Sequence, residues 1–291
     1  MPKLVVGAGY LGARVAALWK SNGEPVHILT RSADKADAFA AQGYLPLVAD
    51  ITRPETLRTL PAVSTIAWCV APDRAAGGTP EGVYVEGLRN FLDALPAPPR
   101  RFLQISSTSV YGQTDGSYVN EESPTQPTAA NGQTCLAAES LLRSRFPQTS
   151  DLSAPQADIV RLAGIYGPGR LIARLEHLRA EQPLEVNPEA WLNLIHVDDA
   201  ARIAVAIGDA GRKGRVWLVA DDRPVRRREF YSLVASKAGT PAPRFQLQNL
   251  SESERNSLGK RCANTLIRQT LDVGLLFPTI DEGIPNALKP E

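Results

Sequence analysis

The sequence predicts an α/β protein built on a doubly wound parallel sheet. Three observations carry that reading. Short β-branched runs alternate with helical patterns of roughly 10–15 residues, as parallel strands joined by crossover helices require. A glycine-rich turn, GAGYLG, follows the first run and opens the first helix. The 291 residues are 43% hydrophobic, which suits one large domain or two coupled ones.

The elements follow in order. Residues 3–8, KLVVGA, form the first strand. YLGARVAALWKSNG then places Leu11, Val15, Leu18 and Trp19 on one helical stripe, closed by Asn22-Gly23. PVHILTR is a second strand, SADKADAFAAQG a second helix and YLPLVAD a third strand. STIAWCV and RRFLQISS are a fourth and a fifth, with helical GVYVEGLRNFLDAL between them. Beyond residue 120 comes a polar, Pro-containing loop, then a helix near 133–145 and a strand, ADIVRLAGIYG, at 157–167. Helical patterns near 170–181, at VDDAARIAVAIGDA and at RREFYSLVASKAG surround one more strand, RVWLVAD. The spacing assigns residues 1–165 to the sheet domain. Residues 166–291 mainly form a cap, with 194–222 returning to the sheet.

VVGAGYLG supplies Gly7, Gly9 and Gly12, with Tyr10 and Leu11 between them, as GxGxxG. The first glycine permits the tight turn. The second lets the backbone approach a pyrophosphate, and the third lets helix and strand pack closely. The strand before it and the helix after it supply the context that this motif needs. An NAD-binding chain usually ends its second strand on a carboxylate for the ribose 2′-OH. Here that strand ends in Thr30, Arg31 and Ser32. Arg31 can pair with a 2′-phosphate, so NADP is favoured over NAD. The plain alternative for Arg31 is a solvated surface charge. Asp50 and Ile51, after the third strand, are placed near the adenine, although an Asp at a strand end also caps helices. Val70, Ala71 and Pro72 follow the fourth strand and line the cofactor path as backbone.

Charge and composition exclude other classes. Lys plus Arg total 32 and Asp plus Glu 31, a net charge of +1, so no basic excess drives nucleic-acid binding. No run of about 18 apolar residues suggests a membrane span. MPKLVVGAG goes straight into a strand-like run, leaving no room for a signal peptide. Cys69, Cys135 and Cys262, like His27, His177 and His196, are scattered and fit no metal spacing. A cytoplasmic, metal-free protein acting on a small molecule is expected, and a homodimer is possible.

GAGYLG, ISSTSVYG, VRLAGIYGPGR at 160–170, LIHVDDAARI at 194–203 and the tail GLLFPTIDEGIPNAL together carry a resemblance that spans nearly the whole chain. The sequence resembles the extended short-chain dehydrogenase/reductases, also called the NAD-dependent epimerase/dehydratase family. The resemblance implies a Rossmann sheet with a small C-terminal substrate-binding domain. It also implies a catalytic Ser/Thr, a Tyr and a Lys in YxxxK, and a supporting Asn. Ser107 matches the Ser/Thr, four residues before Tyr111. Setting NGQTCLAAE against the family's YGxxKLxxE puts Asn131 at the Tyr and Cys135 at the Lys, while Gly132, Leu136 and Glu139 agree. Setting YVEGLRN against NVxGTxN puts Tyr84 at the supporting Asn. No lysine occurs between Lys35 and Lys213, so no shifted alignment restores the pair. Lowering a phenol from about 10 to about 7 takes about 4 kcal/mol of preferential phenolate stabilisation. Asn131 has no proton to exchange, and Cys135 is too short to act as that lysine.

The sequence is therefore read as an atypical member that lacks YxxxK. An NADP-binding, epimerase/dehydratase-like oxidoreductase is expected, acting on a sugar nucleotide or a related small molecule. Ser107 would polarise a carbonyl or hydroxyl, and Tyr84 or Tyr111 would exchange the proton. Packing is an equal alternative for Tyr84 and the stronger one for Tyr111. Tyr166, Arg170 and His196 fall where the family contacts substrate, although Gly-Pro-Gly also makes turns and Asp198-Asp199 also cap a helix. The alternative is a catalytically silent NADP-binding redox sensor or regulatory protein.

Overall fold

The computed structural model describes residues 2–71 and 79–289. The chain divides into two compact units, neither continuous in sequence. The first takes Met1–Val110, Pro127–Arg161 and Ala201–Trp217, and the second Tyr111–Gln126, Leu162–Ala200 and Leu218–Glu291. A single boundary near 165 is thus replaced by several crossings. Of the expected return segment 194–222, only its middle lies in the first unit.

The first unit opens with β1 (Lys3–Val6), α1 (Gly12–Ser21), β2 (Val26–Thr30), α2 (Ala33–Ala41) and β3 (Leu45–Val48). β4 (Thr65–Trp68), α3 (Gly87–Ala94), β5 (Arg101–Ser107) and α4 (Ala130–Arg145) follow. Seven strands form one sheet, in the order Val216–Val219, Gln156–Leu162, β5, β4, β1, β2, β3. β1 pairs in parallel with β2 on one side and with β4 on the other. The chain order reverses at β1, and ligands bind at the carboxyl ends of strands beside such a switch point. All four residues of β1 are buried, as a strand covered on both faces must be. The core behind β4 and β5 is aromatic: Trp68 lies 5.1 Å from Phe91, and Phe102 lies 5.8 Å from Phe146. A π-helical turn, Gly82–Glu86, leads into α3 and carries Tyr84. Such turns are rare and occur mostly at functional sites.

The second unit is built from three two-stranded ribbons and helices that include Ile172–Arg179, Arg227–Ala238 and Ile280–Ala287. Its core gathers Tyr166, Phe230, Val234, Ile280 and Ile284. The run read as one strand at 157–167 is two. The Ala163 N–H donates to the Val219 carbonyl and the Gly164 N–H to the Asn193 carbonyl, both at 2.9 Å. Beyond that point Gly164–Tyr166 pairs in parallel with Leu194–His196. Gly259–Cys262, which carries no strand signal in sequence, pairs in parallel with Asp115–Val119 across an irregularity. The Arg261 guanidinium lies 4.1 Å from the Tyr118 ring and 5.1 Å from the Trp191 ring.

Candidate dinucleotide and active site

The glycine turn leaves β1 and enters α1 with a different steric reason at each glycine. Gly7 has φ +89°, and a Cβ there would stand 2.9 Å from the Cys69 and Val70 backbone. A Cβ on Gly12 would stand 2.2 Å from the Gly7 carbonyl oxygen. Around Gly9 nothing lies within 4 Å of that position, so its backbone faces open space. No side chain caps the first turn of α1. The Ala13 and Arg14 N–H groups donate to the Gly9 and Leu11 carbonyls, both at 3.0 Å, so what the helix end offers an anion is chiefly its positive dipole end.

A cavity of about 210 Å³ opens beside this turn. It brings together Gly7, Gly9, Arg31, Asp50, Ile51, Val70 and Ala71 from the sequence-predicted set. Tyr10, Leu11, Gly12 and Ser32 do not line it. Leu11 and Gly12 are buried. Tyr10 carries the Arg14 guanidinium 4.4 Å over its ring, and its carbonyl accepts from that group at 2.8 Å. Ser32 caps α2, accepting from the Lys35 N–H at 3.3 Å. The Asp50 carboxylate accepts from the Thr52 N–H at 2.9 Å and from its hydroxyl at 2.7 Å. Lys35 and Phe39 also line the cavity and were missed in sequence. Their spacing of four on a helix was the available signal. Pro72 lies outside the described residues.

Ser107 ends β5. Its Oγ accepts from the Ser109 N–H at 3.1 Å, which occupies a lone pair and leaves the hydroxyl proton to donate. A buried ion pair fixes α4 beside this strand. Arg161 donates to Glu139 through Nε at 3.0 Å and Nη2 at 2.7 Å, and the Ser106 hydroxyl donates to the same carboxylate at 2.6 Å. Gly132 lets the start of α4 approach the next turn, since a Cβ there would stand 2.3 Å from the Ser109 carbonyl oxygen. Asn131 is exposed and Cys135 buried, one helical turn apart on α4.

Burial raises the Cys135 pKa against the opposing influence of the Ser109 hydroxyl, and the Glu139 charge adds to the rise. Cys135 is thus a thiol, not a thiolate, near neutral pH. The π turn packs on α4, and half-buried Tyr84 lies close to Cys135. Burial, then that neighbour, pushes the phenol up to about 12. Tyr84 therefore stays protonated and offers a hydrogen-bond donor, not a base. Cys69 is likewise pushed up to about 12 by burial.

In the second unit Tyr111 is 3% exposed, while Arg170 is exposed. Tyr166 and His196 are sealed in its core. His196 is stacked 3.9 Å from Phe277, meets the edge of Tyr166 and has Nε2 3.0 Å from the Asn286 Oδ1. Its Nδ1 accepts from the Asp198 N–H at 3.2 Å. Asp199, beside Asp198, accepts from the Leu276 and Phe277 N–H groups at 2.7 and 2.8 Å, so it anchors that segment. Among the described residues no cluster of three His, Cys, Asp or Glu could hold a metal, and no helix is long and apolar enough to cross a membrane.

Residues 3–220 match the model of the NAD dependent epimerase/dehydratase family. The chain is 28% identical over 273 residues to Protein YeeZ of Escherichia coli (strain K12), covering 90% of this chain and 93% of that one. It superposes with a TM-score of 0.76 on a Methylobacillus flagellatus protein named as a candidate NAD-dependent epimerase/dehydratase, at 30% identity and over 99% and 97% of the two chains. A human epimerase family protein, SDR39U1, solved with NADPH, shares the fold at 17% identity, with a TM-score of 0.78 over 99% of each chain.

Proposed function

The chain belongs to the NAD-dependent epimerase/dehydratase family, and on that premise we propose that it is an NADP-binding oxidoreductase with a rebuilt acid/base site. One observation carries the cofactor reading. The cavity beside the open Gly9 turn has Arg31, not a carboxylate, at the end of β2. A 2′-phosphate there meets a guanidinium where an NAD-binding chain places its carboxylate, and Asp50, the carboxylate that lines the same cavity, is engaged by Thr52. Gly7, Gly9 and the α1 N-terminus would hold the pyrophosphate, and Asp50, Ile51, Val70 and Ala71 would flank the adenosine and the path beyond it. When bound, the group supplies hydride transfer.

The chain's own residues supply the rest. Ser107 donates its hydroxyl proton to a substrate carbonyl or hydroxyl. Tyr84, held protonated by burial, is the second donor on the same unit. Tyr111, closed off by packing, takes no part. The substrate class is a sugar nucleotide or a related small molecule, as family membership suggests. Titration calorimetry tests the cofactor reading. NADP should bind more tightly than NAD by about 1–3 kcal/mol; equal affinity or a preference for NAD would refute it.

A silent NADP-binding regulator is the second reading. It is favoured by α4, where Asn131 and protonated Cys135 stand in place of a titrating phenol and an ammonium. Turnover of bound NADPH with a panel of carbonyl compounds separates the two.

A further inference from the structure

We propose that a second polar cavity, at the amino ends of the sheet strands, binds a phosphate group, either free or carried by a small metabolite. The cavity, of about 340 Å³, lies within the first unit, and its volume falls in the range of small-molecule sites. It is separate from the dinucleotide cavity, because the glycine turn leaves the opposite end of β1. Lys3, Thr65 and Arg101, the first residues of β1, β4 and β5, line it. The register aligns Lys3 with Thr65 and Thr65 with Arg101, so the three side chains stand in a row on one face of the sheet. All three residues are more than nine-tenths buried.

Buried cations need partners, and the two in this row are held in place. Lys3 donates to Asp209, has Glu24 at 3.5 Å and lies 5.0 Å from the Trp19 ring. Arg101 donates to Asp158 and to the Arg212 carbonyl, which ties the segment ending at Arg212 to the row. Arg100 and Arg212 also line the cavity, and Arg100 is exposed and makes no ion pair among the described residues. Even with Asp158 included, the four cations Lys3, Arg100, Arg101 and Arg212 face only the three carboxylates Glu24, Asp158 and Asp209. The cavity therefore keeps positive charge, and the guanidinium fork of Arg100 matches phosphate oxygens in pairs. Thr65 brings a hydroxyl between the buried cations. Leu152, 48% exposed, gives an apolar wall to the carbon part of a phosphate ester. A Cβ on Gly211, which lines the cavity too, would meet nothing within 4 Å.

The test is calorimetry with inorganic phosphate, glycerol phosphate and uncharged glycerol on wild type, Arg100→Ala, Gly211→Leu and Gly9→Val, with folds checked by circular dichroism. Wild type should bind both phosphates and not glycerol, more weakly as salt rises. Arg100→Ala should weaken phosphate about ten-fold, since a charge-assisted bond is lost. Gly211→Leu should weaken both phosphates by filling the space and not by removing charge. Gly9→Val, which alters the other end of the sheet, should bind them as wild type does. Tighter binding of glycerol phosphate marks an esterified source and the reverse order a free one, and either supports the proposal. No phosphate binding by wild type overturns it, as does unchanged affinity in a folded Arg100→Ala protein. Loss in Gly9→Val with Arg100→Ala unaffected would put the phosphate at the glycine turn and overturn it as well.

Discussion

Replacing Asp221 by Asn should stabilise the protein above neutral pH and flatten its pH dependence there. Asp221 is 2% exposed in the second unit. Its Oδ1 accepts from the Arg223 N–H at 3.3 Å, while its buried Oδ2 has no hydrogen-bond partner among the described residues. Burial pushes its carboxyl up to about 8, with the charges of Asp222 and Asp199 adding to the rise and Arg223 opposing it. A carboxyl whose folded pKa lies above its unfolded value binds its proton more tightly when folded. Its stabilising effect is full below the unfolded value of about 3.9 and is lost as pH rises toward about 8. The slope is about 1.36 kcal/mol per pH unit, so by pH 7 the loss is on the order of 4 kcal/mol. An amide of the same shape does not ionise. Calorimetric or urea unfolding of both proteins from pH 5 to 9 measures the difference, because every other titrating group is common to the two. The variant should gain on wild type steadily up to about pH 8 and not beyond. Parallel stability curves over that range would refute the reasoning, since Asp221 would then ionise as freely folded as unfolded.

Other outcomes follow from the site. Gly9→Val should abolish dinucleotide binding with the fold intact, because its Cβ enters open space and not a packed wall; calorimetry and circular dichroism together read it. Glu139→Ala should cost about 3–5 kcal/mol in chemical denaturation, since it leaves Arg161 buried without its carboxylate. The Glu139→Leu/Arg161→Met pair should recover much of that loss. Asn131→Tyr with Cys135→Lys should bind NADP at least as tightly as wild type, the new ammonium reaching the ribose hydroxyls. A large loss of affinity in a well-folded Cys135→Lys protein would show that residue 135 faces elsewhere.

The sheet was legible wherever burial is repeated along an element. Lys3–Val6 is buried along its whole length and reads as a continuous apolar run after its opening lysine, while α1 shows its Val15 and Trp19 stripe because only one side is buried. The glycine turn was legible because Gly7 and Gly12 each answer a constraint that no other residue meets. The break at Ala163 was not, since both strands on either side of it bury apolar residues and the sequence gives no sign of a change of sheet. Gly259–Cys262 escaped for a different reason. Its strand is held by an arginine between two aromatic rings, contacts that leave no alternating pattern.

Tyr166 and His196 show how motif and burial part company. The same letters that mark a substrate side in the family fill a closed core here, where a Cβ on Gly283 would stand 1.8 Å from the Tyr166 hydroxyl. Lys35 is the converse. Seen in sequence, a lysine among Asp34, Asp37 and alanines is a solvated helix face, because nothing in the chain supplies its partner. Only the fold shows that this face, with half-buried Phe39 on it, borders the same cavity as Arg31. Residues that wait for a ligand look like surface residues until the cavity is drawn, and a spacing of four on the helix that follows a strand-end arginine, here Lys35 and Phe39, is the pattern by which they can be sought.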